Sequence, residues 1–115
     1  MKIKIIKDVN ALEEMPALTQ NDTISLTLNF KHDDDSYFDL TNYDEIRFKG
    51  RLTHYNTSTI DLLGSISAGT SGVGVLDFTP TQLETSGVYF TEISCSSSSE
   101  VRTVSAGKLY VVEEL

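Results

Sequence analysis

Ser86-Gly87-Val88-Tyr89-Phe90-Thr91 reads as the corner that opens the penultimate strand of a two-sheet sandwich. A tyrosine near the start of such a strand turns its hydroxyl back onto backbone a few residues upstream and pins the turn. Gly87 and Tyr89 are therefore assigned as structural corner residues, and the Tyr89 hydroxyl is expected to bond backbone within residues 81–86.

Working outward from the corner, the chain is a series of short strands divided by turn chemistry. Thr23 to Phe30 alternates strictly, with Ile24, Leu26, Leu28 and Phe30 on one face and hydroxyls or an amide on the other. That period of two marks a half-buried strand. Lys31 to Ser36 holds three aspartates and reads as a turn. Ile46, Phe48 and Leu52 alternate with Arg47, Lys49 and Arg51, which gives a strand with a basic outer face, and Gly50 is expected to mark a bulge or a close backbone approach. Ile60 to Ile66 is a strand interrupted at Gly64, Ala68 to Gly72 is a loop, and Gly74 to Thr79 is a strand ended by Pro80. One helical turn capped by Thr81 is expected over 81–86. After Val88 to Cys95, the serines 96–99 form a flexible hairpin tip, and Val101 to Val104 with Ala106 to Val112 supply the last strand or pair, bent at Gly107. The one longer stretch with helical character is Asn10 to Leu18, which Pro16 weakens.

About seven or eight strands at this spacing predict an all-β fold, an immunoglobulin-like antiparallel sandwich with an N-terminal extension. Antibody domains carry a disulfide cysteine two residues after the corner tyrosine. Thr91 stands at that place, so the corner is kept and the disulfide is not.

A chain of 115 residues has room for one domain with an ordinary core. Hydrophobic residues make up 39% and charged ones 23%, a globular rather than disordered balance. No apolar run reaches the ~20 residues of a membrane span, and Met1 to Lys7 lacks the apolar stretch of a signal peptide. Cys95 is the single cysteine, which forbids an internal disulfide, and a net charge of −8 argues against nucleic acid and anionic membrane. Synthesis and folding in a cytoplasm are expected.

Residues 1–22 are expected to form an N-terminal strand or arm, and residues 23–115 the sandwich. Two uses of the arm stay open: an edge strand of its own sheet, or a segment that adds a strand to a neighbouring subunit. On the second reading Ile3, Ile5, Leu12, Met15 and Leu18 are the assembly-interface residues.

Tyr37 to Phe48 resembles the D-L-T-G-A-x-I-x-F segment of the phage baseplate upper protein N-terminal domain family. Asp39, Leu40, Thr41, Ile46 and Phe48 fit, Asn42 stands where a Gly is usual, and one extra residue lengthens the turn. Gly74-Val75-Leu76-Asp77-Phe78-Thr79-Pro80, Leu83, Gly87 to Ile93 and Gly107 to Val112 follow in the family's order, so the resemblance runs from about Asp22 to the C-terminus. It implies a β-sandwich used as a structural or adaptor module in tail baseplates, head fibres and related virion parts, and it carries over no catalytic residue. The chain stops where the sandwich stops, which suits a small capsid decoration or an accessory tail component.

Chemical readings are weaker. His32 and His54 are the only histidines, and a nucleophile such as Cys95 or Ser71 needs a base and an orienting group within reach. Ser71 lacks a strand–elbow–helix context, and the glycines around it lack the lysine and helix of a phosphate loop. Asp61 with Glu84 or Glu92 is the one glycosidase-like acid pairing. His32-Asp33-Asp34-Asp35 offers oxygen ligands for a hard cation but reads as a solvated hairpin tip. The sequons at Asn21 and Asn56 matter only in a secretory pathway. The expectation is therefore no catalytic residue, no metal and no cofactor. The partners expected are other virion proteins of capsid, tail or baseplate and copies of the chain itself, and the location expected is the virion. The alternative is a carbohydrate- or host-surface-binding adhesion domain that uses exposed aromatics, with Tyr37, Tyr43 and Tyr55 as its candidates; Tyr37 and Tyr43 serve equally well as plugs over the sandwich end.

Overall fold

The computed structural model describes residues 1–8, 10–53 and 59–115. Nine strands form among the described residues: β1 (Lys2–Lys7), β2 (Asn10–Leu12), β3 (Leu18–Thr19), β4 (Ile24–Lys31), β5 (Glu45–Leu52), β6 (Ile60–Ala68), β7 (Val73–Phe78), β8 (Gly87–Ser96) and β9 (Val101–Val112), with a 3₁₀ turn at Gly69–Ser71. They hydrogen-bond in the order β2-β1-β4-β7-β6-β5-β8-β9-β3. The protein is all-β, and the sheet curls into two layers.

Strand β6 makes the curl. Its first half pairs with β5, from Gly50↔Ile60 to Ile46↔Gly64, and its second half pairs with β7 from Ser65↔Val75 onward. One strand therefore belongs to both layers and changes partner at Gly64. A Cβ built on Gly64 would lie 2.8 Å from the Val75 carbonyl oxygen and 2.9 Å from Leu76 Cδ2, so the chain turns this corner only without a side chain. The interruption read at Gly64 is this change of layer.

In immunoglobulin lettering, β1, β4, β7 and the end of β6 correspond to A, B, E and D. The start of β6 with β5, β8 and β9 corresponds to C′, C, F and G, and β3 runs parallel to β9 through Leu18↔Val111 and Thr19↔Val112. The topology is that of an immunoglobulin-like sandwich.

Alternation selects the core. In β4 and β5 alternate residues are buried, so Leu26, Leu28 and Phe30 face Ile46, Phe48 and Leu52 across the layers. Phe48 meets Phe78 edge to face with ring centroids 5.3 Å apart, joining the second layer to the first. Ile93, Tyr89 and Val111 complete the core, and Ile24 packs at its rim, partly buried.

Several local expectations are corrected. Asn10 to Leu18 is not helical: residues 10–12 fold back on β1 as a strand, with Leu12 opposite Ile5. Gly50 marks no bulge and pairs regularly with Ile60 and Thr91. The irregularities fall instead between Ile66 and Ala68, and at Ala106, the extra residue that β9 carries opposite Thr91 and Glu92. Val101–Val112 is one strand through that bulge, with Gly107 at φ 77°. Residues 81–86 form a turn without a helix. Its staple is Thr79, whose amide donates to Gln82 Oε1 at 2.7 Å while its carbonyl accepts from the Gln82 amide.

Candidate interaction surfaces

The corner is built as its residues require. Gly87 takes φ 146°, a backbone region that L side chains avoid, and this swings the chain into β8. Two residues on, the Tyr89 hydroxyl donates to the Thr85 carbonyl at 2.6 Å, inside the expected segment. The ring is 1% exposed, and burial holds its hydroxyl above the ordinary tyrosine pKa. At the place of the antibody cysteine, Thr91 is buried and donates its hydroxyl to the Gly107 carbonyl at 2.8 Å. A hydrogen bond to the bulge of β9 thus stands where antibody domains carry a disulfide.

The N-terminal residues are part of the sandwich. β1 pairs with β4 from Lys2↔Lys31 to Ile6↔Thr27, and the chain then crosses to the other layer, where β3 joins β9. Of the five residues expected at an assembly interface, Ile3, Ile5, Met15 and Leu18 are buried in the domain's own core, and only Leu12 is exposed. The physical reason is plain: the open side of β4 and the seam between the layers already offer apolar surface, and the arm covers both. A boundary at residue 22 divides nothing in this packing.

The chemistry-bearing residues are dispersed. Cys95 is fully buried, its sulfur 4.0 Å from the Met1 sulfur, and burial pushes its thiol up to about 11. Asp61 is engaged by Arg47, its Oδ1 2.5 Å from the guanidinium. Across the outer face, Asp61 and Glu92 are separated by Lys49, the residue opposite both. Glu84 lies in the corner turn, where its carbonyl accepts from Gln20 Nε2 at 2.7 Å. Ser71 closes the 3₁₀ turn, and Asn21 takes φ 64° beside the corner, its amide donating to the Leu83 carbonyl at 3.0 Å.

The acidic tip is held by ordinary turn bonds. Ser36 donates its amide and hydroxyl to Asp34 Oδ1, and Lys2 bonds Asp35 at 2.9 Å, which holds the Asp35 carboxyl below its usual range. Among the described residues no group of three or more His, Cys, Asp or Glu side chains converges as a metal site. His54, Tyr55 and the sequon at Asn56 lie outside the described residues.

At the end of the sandwich the two remaining tyrosines diverge. Tyr43 lies half-buried against Phe38, ring centroids 5.8 Å apart, and its hydroxyl donates to the Glu100 carboxylate, which holds the tyrosine pKa above normal. The Arg102 guanidinium carbon lies 5.7 Å from the Phe38 ring centre. Tyr43 is thus a plug. Tyr37 is 64% exposed, with Lys31 Nζ 4.9 Å above its ring.

The larger exposed aromatic feature lies on the outer face of β5, β8 and β9, where pairing register rather than sequence proximity assembles it. Phe90 is opposite Arg51 on one side and Lys108 on the other, and one step along, Tyr110 is opposite Val88. Phe90 is 42% exposed, Tyr110 48% and Val112 53%. The Arg51 guanidinium carbon lies 5.4 Å and the Lys108 amine 5.8 Å from the Phe90 ring centre. Beside the ring is an open depression of about 450 Å³ whose rim includes Glu14, Ser105 and Tyr110. The basic outer face of β5 was legible in the sequence. The aromatic half was not singled out, although strand alternation places Phe90 opposite in phase to Tyr89.

Fold and surface together define an immunoglobulin-like domain with a plugged end, an inbuilt N-terminus and one aromatic, cation-flanked sheet face. No helix among the described residues is long and apolar enough to cross a membrane. No family model matches the sequence, and no curated protein does. Among solved structures the chain is similar to murine CRIg, at 10% identity over 100% of both chains with a TM-score of 0.47. The strand topology carries the fold assignment without it.

Proposed function

We propose that this chain is a non-enzymatic structural component of a bacteriophage virion, made in the host cytoplasm and mounted on the capsid or joined to the tail or baseplate. The observation that carries the reading is the ordered set of segments that resembles the baseplate upper protein N-terminal domain family. These segments coincide with the framework of the sandwich. Asp39 to Phe48 runs through a stapled turn into β5: Asp39 accepts from the Thr41 amide at 2.9 Å, the Leu40 amide donates to Gly69, and the Asp44 amide donates to Ser96. Gly74 to Pro80 is β7 with its exit, Gly87 to Ile93 the corner strand, and Gly107 to Val112 the end of β9.

A building role also suits the dispersed titratable groups, since Cys95 is sealed and Asp61 is taken by Arg47. With Ile3, Ile5, Met15 and Leu18 spent on the core, contact with a neighbour falls chiefly to the sheet faces and loops. The test is quantitative mass spectrometry of purified particles from phage-producing cultures. The protein is expected to remain with the particle through a high-salt wash, at a fixed copy number relative to the major capsid or baseplate subunit. Its absence from particles, combined with saturable binding on a glycan array, would replace this reading with the adhesion alternative, for which exposed Tyr37 is the starting residue.

A further inference from the structure

We infer that the outer face around Phe90 is a docking surface for an acidic polypeptide, one that offers carboxylates on either side of an apolar side chain. The inference concerns this face alone and does not depend on the virion reading. Four cations face outward on β5 and β9: Arg47, Lys49, Arg51 and Lys108. Against them stand Glu45, Asp61 and Glu92 on the same strands and Glu14 reaching the face at Gly107, four charges against four on a chain whose net charge is −8.

The cations without an ion pair have a definite place. Arg47 is held by Glu45 at 3.0 Å and Asp61 at 2.5 Å, and Lys49 lies between Asp61 and Glu92 across the strands. Arg51 and Lys108 have no ion pair within 4.0 Å among the described residues, and what they flank is a neutral ring. Glu14, at the rim of the depression beside Phe90, forms no ion pair within 4.0 Å with either of them. Two unpaired cations astride an exposed phenyl ring, continued by Tyr110 and Val112, match a ligand with negative charge outside and apolar surface at its centre. A basic or neutral partner would leave both cations unanswered.

The test uses the full chain and a synthetic five-residue peptide of four glutamates around a central leucine, followed by amide chemical shifts. Saturable shifts are expected at residues 51, 88–92 and 107–112, and they should vanish near 1 M salt, where the screening length is only ~3 Å. Arg51→Glu combined with Lys108→Glu should weaken binding at least about tenfold with the melting transition retained. Phe90→Ala, which keeps both cations, should weaken it by a smaller factor. A control peptide with lysines in place of glutamates should leave this face unshifted. Concentration-dependent shifts of the same amides without peptide, lost in the double variant, would support the inference and name a second copy as the acidic partner. No binding, shifts confined elsewhere, or equal affinity in the double variant would overturn it.

Discussion

Tyr89 and Phe90 are adjacent aromatic residues on one strand, and they answer to different forces. Tyr89 faces the core, is 1% exposed and has its hydroxyl committed to Thr85. Phe90 faces outward, is 42% exposed and lies between the cations of Arg51 and Lys108. Alternation along a strand makes this division absolute, because a shift of one residue would exchange the two fates. The inner aromatic is explained by folding alone. The outer one is not, and together with exposed Tyr110 and Val112 it makes an apolar surface patch of the kind that marks an interface. The same division separates the whole inner surface of β5 and β8 from the whole outer surface.

The comparison breaks most visibly at the N-terminus, which is inner surface by packing. Deleting residues 1–18 removes Ile5 and Leu18, both essentially unexposed, together with Ile3 and Met15, and it strips β4 of a neighbour. The expected outcome is loss of the cooperative thermal transition, read by circular dichroism. A truncated chain that melts at the parent temperature would return the arm to the outer class and revive it as a reaching segment. Phe48→Ala comes next. Phe48 is fully buried and carries the edge-to-face contact with Phe78, so the cost should be about 3–5 kcal/mol in urea unfolding, a large share of a small domain's stability.

Sequence reasoning recovered the inner surface well, for a reason visible in β4. Ile24, Leu26, Leu28 and Phe30 repeat every second residue, and each non-apolar partner between them points the other way. The corner was legible because its signature is local: Gly87, Tyr89 and the carbonyl of Thr85 lie within five residues of chain. What was not legible depends on pairing partners. Ile3 and Ile5 read as apolar strand residues, but nothing local says whether the sheet they join is their own or a neighbour's. Gly64 read as an interruption because a strand that serves two layers looks like two short strands joined badly. The outer cluster was hidden for the same reason. Arg51, Phe90 and Lys108 are far apart in sequence, and only the register Arg51↔Phe90↔Lys108 makes them one feature.

A smaller effect sharpens the inner side. Tyr89→Phe removes one hydroxyl and leaves the Thr85 carbonyl without that donor, while the ring and its packing remain. The expected loss is about 0.5–1.5 kcal/mol with the fold intact. Chemical denaturation with an unchanged slope measures it, since a changed slope would mean that the corner holds more than one bond's worth of structure.

The smallest stability effect belongs to Phe90, and its smallness is the point. Truncation to alanine removes a partly exposed ring and two surface cation–ring contacts, each worth about 0.5–1 kcal/mol at most where solvent reaches them. Some of that is recovered as Arg51 and Lys108 regain full hydration. The net cost should be about 1 kcal/mol or less, several-fold below that of Phe48→Ala on the neighbouring strand, measured in the same urea series. A cost as large as that of Phe48 would mean that Phe90 is a folding residue, and the contrast with Tyr89 would collapse. A near-neutral result would leave the ring with no structural duty large enough to account for it. Binding, which the peptide titration reads directly, would then be the duty that remains for an aromatic side chain held in solvent between two cations.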